Sequence, residues 1–364
     1  MRIAMLISAL SRGGAEHVQV NLADYLIKQG HQVIMVTQYQ KENEYPLNPD
    51  AKRIVSDINE TETANNRIIN FVRRFRKLRR IWKSEKPDVI LSFIGKNNIM
   101  AIITSLGLPV STAVSVRGEP REEYYSNGLR LIAKGLFHFA DGIILQTEKC
   151  KSFFPSGVQK KAVILRNPVH SSFFREPYTG LRDKTIVAVG RIDENKNHRM
   201  LIQAFAQIAD EFPDYKLIIY GDGDRKEELQ DAVKKLNLAD RIVFGGRIEN
   251  VADAIYKTRV FVLSSNTEGM PNTLLEAMAL GLAVVSTDCP CGGPAEIIEH
   301  GKNGILVPVR DEKAMKENLQ FLLNHLQEAD EMGKNARITS EIYKPERVLP
   351  EWEKYLILLG NAKK

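Results

Sequence analysis

The segment SNTEGMPNTLLEAMALG, Ser265 to Gly281, decides the fold of this 364-residue chain. Just upstream, RVFVLSS (Arg259 to Ser265) is a short apolar run ending in small polar residues, the pattern of a buried parallel strand that delivers a loop from its carboxyl end. Gly269 and Pro271 break the strand and open a helix, since proline in the first helical turn forfeits a donor that has no intrahelical partner anyway. Leu274, Leu275, Met278 and Leu282 then recur at helical spacing. The backbone of Met270, Pro271, Asn272 and Thr273 is thus expected to form the head of a helix, where amides and dipole favour a phosphate. Glu268 and Glu276 stand eight residues apart across this turn. A carboxylate on each side suits a ligand with hydroxyls flanking a diphosphate, with Glu268 toward a sugar and Glu276 toward a ribose.

Outward from this segment the chain alternates strand and helix. RIAMLISAL, the turn Ser11-Arg12-Gly13-Gly14 and AEHVQVNLADYLIKQG read as strand, glycine turn and helix, with Gly30 ending the helix and HQVIMVTQY as the next strand. Such a βαβ opening starts a doubly wound sheet, and its glycine turn lies where these sheets bind ligands. Residues 41–66 are polar and read as a mobile surface loop. RIINFVRRFRKLRRIWK then forms a basic helix whose stripe of Ile68, Val72, Phe75, Leu78 and Trp82 is expected to pack inward. DVILSF, Val110 to Val116, ADGIILQT and KAVILRNPV supply further strands, and GLRLIAKGLFHFA a helix. His170 to Lys184, with Pro177 and Gly180, reads as a linker. KTIVAVGR, KLIIYGDGD, RIVFGG and AVVSTD repeat the alternation in the second half. The expectation is an α/β chain of two Rossmann-like, doubly wound domains, 1–172 and 173–344, with a helical tail over 345–364.

Composition bounds the function. Hydrophobic content of 43% with 26% charged residues is that of a soluble globular protein. Arg67 to Lys83 holds eight Lys or Arg and no acid, more than the whole formal excess of +6, so the basicity is local. That pattern argues for one anionic docking surface and against a nucleic-acid partner. Three cysteines, Cys150, Cys289 and Cys291, make no disulfide framework, and a reducing, cytoplasmic compartment is expected. Cys289-Pro-Cys291 lacks a second pair or a nearby histidine and reads as an ordinary loop. The N-terminal MRIAMLISALSRGG is too short in its apolar part for a secretion signal, and no apolar run reaches the roughly 18 residues of a membrane span.

EGMPNTLLEAMALGLAVVSTD resembles the E-G-x-P-x-x-x-x-E signature of the large family of retaining glycosyltransferases that includes sucrose synthase-like and bacterial lipid-glycan enzymes. The resemblance implies the GT-B architecture, two facing Rossmann-like domains whose C-terminal helices cross back to the first. Gly190-Arg191 through Lys196-Asn197 resembles the family's G-R-x-x-x-x-K-N segment, in which Arg191 and Lys196 would hold the donor diphosphate. A nucleoside diphosphate departs with growing negative charge, and two fixed cations can neutralise it without a metal. Gly13-Gly14 matches the family's Gly-Gly-Ala-Glu turn and would line the pocket. By the same resemblance the backbone of Gly246-Arg247-Ile248 lies beside the base, with UDP preferred. Asp222-Gly223-Asp224 has a metal-binding spacing, but in a glycine turn Asp224 is expected to cap the next helix, and no metal or cofactor is expected.

One departure concerns Arg117, in SVRGEP, where many relatives carry a histidine that contacts the donor sugar. Arg117 is therefore a candidate contact to an acceptor phosphate or donor hydroxyl, against a structural role pairing with Glu119 or Glu122. The resemblance implies a retaining, metal-independent transferase moving a hexose or N-acetylhexosamine from a nucleotide diphosphate sugar, UDP-linked by preference, to a polyprenyl-pyrophosphate-linked or surface polysaccharide acceptor. Arg67 to Lys83 would hold it peripherally on the inner membrane face. The missing histidine keeps a non-catalytic nucleotide-sugar-binding or assembly protein as the alternative.

Overall fold

The computed structural model describes residues 1–57 and 66–363. The chain divides into two compact units, Met1–Asn167 with Glu346–Lys364, and Pro168–Pro345. In the first unit, strands β1 (Arg2–Ile7), β2 (Gln32–Thr37), β3 (Lys52–Val55), β4 (Val89–Phe93), β5 (Ser111–Ser115), β6 (Gly142–Leu145) and β7 (Ala162–Ile164) form a parallel sheet in the order β3-β2-β1-β4-β5-β6-β7. In the second, β8 (Asp183–Val189), β9 (Lys216–Tyr220), β10 (Ile242–Gly246), β11 (Thr258–Leu263), β12 (Ala283–Thr287) and β13 (Ile305–Val307) run in the order β10-β9-β8-β11-β12-β13. Both are doubly wound sheets. Strand order reverses between β1 and β4 and between β8 and β11, so ligand crevices are expected at the carboxyl ends of those pairs.

The C-terminal helix Pro345–Asn361 crosses back to the first unit. Trp352, Leu356 and Leu359 join the core formed with Ile3, Met5, Leu91 and Phe93. Trp352 Nε1 donates to the Arg166 carbonyl at 2.9 Å, and Ser111 Oγ donates to the Leu359 carbonyl at 2.6 Å. A side chain at Gly142 would meet Leu359 Cδ1 at 2.6 Å, so the glycine opening β6 lets this helix lie close on the sheet.

Three local readings need correction. Residues 41–66 include the edge strand β3, whose KRIV sequence has no buried face to betray it; residues 58–65 of that stretch lie outside the described residues. The segment read as a linker from His170 carries Phe173 in the second unit's core, and Asp183 already begins β8. In the basic helix, Arg67–Glu85, Leu78, Ile81 and Trp82 are buried, whereas Ile68 is 73% and Val72 37% exposed. The expected inward stripe therefore holds over the C-terminal half of that helix and fails over its first two turns.

Candidate functional site

In the second unit, the turn after β8 and the turn after β11 meet at the reversal of strand order. Asn195 fastens them together. Its Nδ2 donates to the Thr267 carbonyl at 2.9 Å, and its Oδ1 accepts from Thr267 N at 3.0 Å and Thr267 Oγ1 at 2.8 Å. Asn266 N donates to the Asn195 carbonyl at 2.7 Å, and Ser264 Oγ to the Lys196 carbonyl at 2.8 Å. The result brings Lys196 Nζ to 2.6 Å from Glu268 Oε1, with side-chain exposures of 16% and 14%. Ser265 Oγ donates to the same carboxylate oxygen at 2.7 Å. Glu268 is thus held by a cation and a hydroxyl.

Glycines set these approaches. A Cβ at Gly190 would lie 3.1 Å from Lys196 Cε, so the lysine stem rests over a bare backbone. Gly221, at φ 145, would place a Cβ 1.8 Å from the Gly190 carbonyl oxygen, and Gly223 one 2.3 Å from that of Ile192. Gly221 N also donates to the Gly246 carbonyl at 2.8 Å. The GDGD turn is therefore shaped to let three strand-end loops touch, a requirement only glycine meets at positive φ without side-chain clash. Asp224 does not cap the following helix as expected, because Lys226–Lys235 begins after Arg225 with no side-chain cap. Asp222 faces Lys226 at 3.6 Å and Arg247 at 3.7 Å.

The helix Asn272–Ala279 follows the Glu268-Gly269 turn, with Pro271 at its N-cap. Thr273 Oγ1, in the first turn of that helix, is buried with no hydrogen-bond partner. Glu276 is 8% exposed. Burial pushes its carboxyl up to about 7, while the Lys196 ammonium pulls the other way. Lys196 therefore acts on both glutamates. Met270 is buried at the turn, and Ile248 is half-buried after β10. Arg191 stands apart from this cluster, 75% exposed with Nη2 3.2 Å from Asp193.

In the first unit, Gly13 is the N-cap of the helix Gly14–Lys28, at the carboxyl side of β1. Arg117, after β5, is placed differently from the sequence expectation. It is 8% exposed, and its guanidinium lies 4.7 Å from the Phe93 ring centroid and 5.7 Å from that of Trp352. Nη2 donates to Asn167 Oδ1, at a distance of 2.5 Å. Burial lowers its pKa to about 9, against the opposing charge of Glu123. Neither Glu119 nor Glu122 pairs with it. Glu123 instead accepts from the backbone amides of Gly95 (2.9 Å), Arg117 (2.6 Å) and Gly118 (2.7 Å). The geometry makes Arg117 a tie between β5 and the C-terminal helix, and corrects the expected pairing with Glu119 or Glu122, since Glu123 is the carboxylate whose charge acts on it.

Sequence reasoning missed the fasteners Asn195, Ser264, Ser265, Asn266 and Thr287, the last donating from Oγ1 to the Ser265 carbonyl at 2.6 Å. The available signal was the run of small polar residues directly after β11 and the threonine that ends β12. At such positions side chains can pair with the neighbouring loop's backbone.

Comparison with known proteins identifies both halves. The model described as "Glycosyltransferase Family 4" matches residues 12–173, and that described as "Glycosyl transferases group 1" matches residues 173–339. A Campylobacter jejuni protein named as a GalNAc-alpha-(1->4)-GalNAc-alpha-(1->3)-diNAcBac-PP-undecaprenol alpha-1,4-N-acetyl-D-galactosaminyltransferase is 29% identical over 367 residues, covering 100% of each chain. Among solved structures, sucrose-phosphate synthase from Thermosynechococcus elongatus superposes with a TM-score of 0.84 at 19% identity, covering 100% of each chain. Anabaena HepE in complex with UDP-glucose gives 0.82 at 17% identity, covering 98% of this chain and 99% of that one. These two structures carry the fold, which is GT-B.

Proposed function

This chain belongs to the glycosyltransferases described by the group 1 and family 4 models, and from that premise we propose that it is a retaining, metal-independent enzyme. It transfers a hexose or N-acetylhexosamine from a UDP-linked donor to a lipid-linked or surface glycan. The observation that carries this reading is the Lys196–Glu268 pair, at 2.6 Å, beside the buried Glu276 at the head of a helix. A diphosphate arriving at that helix head competes for the Lys196 ammonium and releases Glu268 to accept sugar hydroxyls. Arg191, being exposed, swings onto the diphosphate as its charge grows. The departing phosphate lies on the face the acceptor approaches and takes the acceptor's proton, so no side chain need be a strong base. The name of the Campylobacter relative supports a polyprenyl-pyrophosphate-linked acceptor, and HepE's UDP-glucose supports the base.

Calorimetric titration with UDP and UDP sugars separates the two glutamates. Glu276→Ala is expected to weaken free UDP, whereas Glu268→Ala leaves UDP nearly unchanged and weakens the sugar nucleotide. Equal losses for UDP alone would contradict the division. A carboxyl near 7 binds a ribose diol as carboxylate, so UDP affinity in the wild type should rise from pH 6 to 8 and level above it. Glu276→Gln should flatten that profile. For stability the sign is opposite. The folded state holds this proton more tightly than the unfolded chain, so its contribution is full below about 4.5 and is lost as pH rises through about 7.

We further propose that Arg67 to Lys83 attaches the enzyme to an anionic membrane surface. The structure reduces the number of available cations: Arg74 pairs with Asp57 at 3.0 Å, Lys77 donates to the Asp57 carbonyl, and Arg79 donates to the Thr104 and Leu106 carbonyls at 2.9 and 2.8 Å. Arg67, Arg76, Arg80 and Lys83 remain exposed, at about 1 kcal/mol each near anionic lipid. Replacing these four by Gln should sharply lower sedimentation with anionic vesicles at moderate salt and flatten its salt dependence. Salt-insensitive sedimentation would remove the electrostatic attachment. Among the described residues no helix is long and apolar enough to cross a membrane.

A further inference from the structure

The helix Asn127–Leu136 and the turn Phe137–Phe139 carry their apolar residues outward. Leu131 is 75% exposed, Phe139 61% and Ile132 47%, while Ala133 and Phe137 face inward. Leu131, Ile132, Gly135 and Phe139 follow the helical repeat, so they share one face. A helix covering a sheet does the reverse. The element is nonetheless firmly seated. Ser126 Oγ caps it at Leu129 N (3.2 Å), Arg130 Nε donates to the Tyr124 carbonyl (2.9 Å), and Phe137 stacks on Phe154 with ring centroids 4.9 Å apart. Its outer face is a fixed surface, not a frayed end.

This face has a charged neighbour. The basic helix Arg67–Glu85 and the helix Asn127–Leu136 both pack against Gly95–Ser105. The β3-to-β4, β4-to-β5 and β5-to-β6 crossovers all run the same way along the sheet, and right-handed crossovers place their helices on one face of it. The basic helix adds exposed Ile69 and Val72, which by the helical repeat share a face with Arg76 and Arg80 opposite the buried Leu78. Apolar stripes among cations on one face match an anionic bilayer interface, where apolar side chains sink below the headgroups and cations stay among them. We propose that Asn127 to Phe139 inserts its Leu131, Ile132 and Phe139 face into an anionic bilayer, as the hydrophobic anchor beside the electrostatic one. The proposal rests on the membrane attachment proposed above for Arg67 to Lys83, and adds a component that salt does not screen.

The test labels Leu131→Cys with an environment-sensitive dye, which is selective because Cys150, Cys289 and Cys291 are buried. With phosphatidylethanolamine–phosphatidylglycerol vesicles the emission should shift blue and become shielded from an aqueous quencher. The same dye at Lys235→Cys, exposed on the second unit, should not respond. Replacing Leu131, Ile132 and Phe139 together by Gln should leave the Tm unchanged and lower vesicle sedimentation about tenfold. Vesicle binding by the labelled protein without a blue shift would overturn the insertion while leaving the basic-helix attachment standing. Absence of any vesicle binding by the wild type would overturn both. A lipid-free dimer, seen by light scattering and dissolved by the triple Gln variant, would make the stripe a self-association surface and overturn the proposal.

Discussion

Replacing Lys196 by Ala should lower the turnover of sugar transfer by about a hundredfold or more, the scale of removing one preorganised charge from a developing anion. Lys196 is the partly buried cation of the site, fixed through its own carbonyl by Ser264 and through its ammonium by Glu268. Its removal leaves the departing diphosphate with the exposed Arg191. Affinity for free UDP should fall less than turnover, because the negative charge is greatest as the glycosidic bond breaks. A stability cost of about 1–3 kcal/mol is expected as well, since Glu268, at 14% exposure, loses its cation. Arg191→Ala should share the kinetic defect without the stability cost, because Arg191 is mostly in solvent. Steady-state kinetics beside thermal unfolding check this. Lys196→Ala turning over within threefold of wild type would show that the ammonium carries no leaving-group charge.

Gly293→Ala should be nearly as damaging, although the residue bears no functional group. A methyl there would stand 1.5 Å from the Gly269 carbonyl oxygen and 3.3 Å from Pro271 Cδ. The first obstacle is backbone, so the Glu268-Gly269 turn must move or the helix Gly293–Ile297 must. Displacement of the turn by about 1 Å is enough to cost on the order of a hundredfold in rate, and overpacking of this kind costs about 1–3 kcal/mol. The expected result is loss of sugar-nucleotide binding in a protein whose circular dichroism is that of the wild type. Full binding by the variant would mean that the turn tolerates displacement and does not position Glu268.

Strand-helix alternation and the Ser265–Gly281 segment were legible because buried parallel strands are continuous apolar runs and the following helix repeats every three to four residues. Hence both sheets and the Glu268 turn fall where the pattern puts them. The edge strand β3 was invisible, because one neighbour and an exposed face leave no apolar signature in Lys52–Val55. The burial of Arg117 was not legible for a different reason. Phe93 and Trp352, more than two hundred residues apart, supply aromatic faces that accept a guanidinium. The stripe of the basic helix was correctly periodic at Leu78 and Trp82 and wrongly extended to Ile68, because periodicity says which residues share a face and not how far the covering layer reaches. Likewise the apolar face of Asn127–Leu136 looks like any core-facing helix until exposure shows it turned outward.

Metal-independent transfer with retention is decided by the anomeric configuration of the product. Purified enzyme would be incubated in excess chelator with a panel of UDP sugars and a polyprenyl-pyrophosphate-linked acceptor, and the new linkage read by proton NMR. An α-linked product from an α-linked donor is expected, at a rate the chelator leaves unchanged. A β-linked product, or activity that vanishes in chelator and returns with manganese, would contradict it and would recast Asp222 and Asp224 as metal ligands.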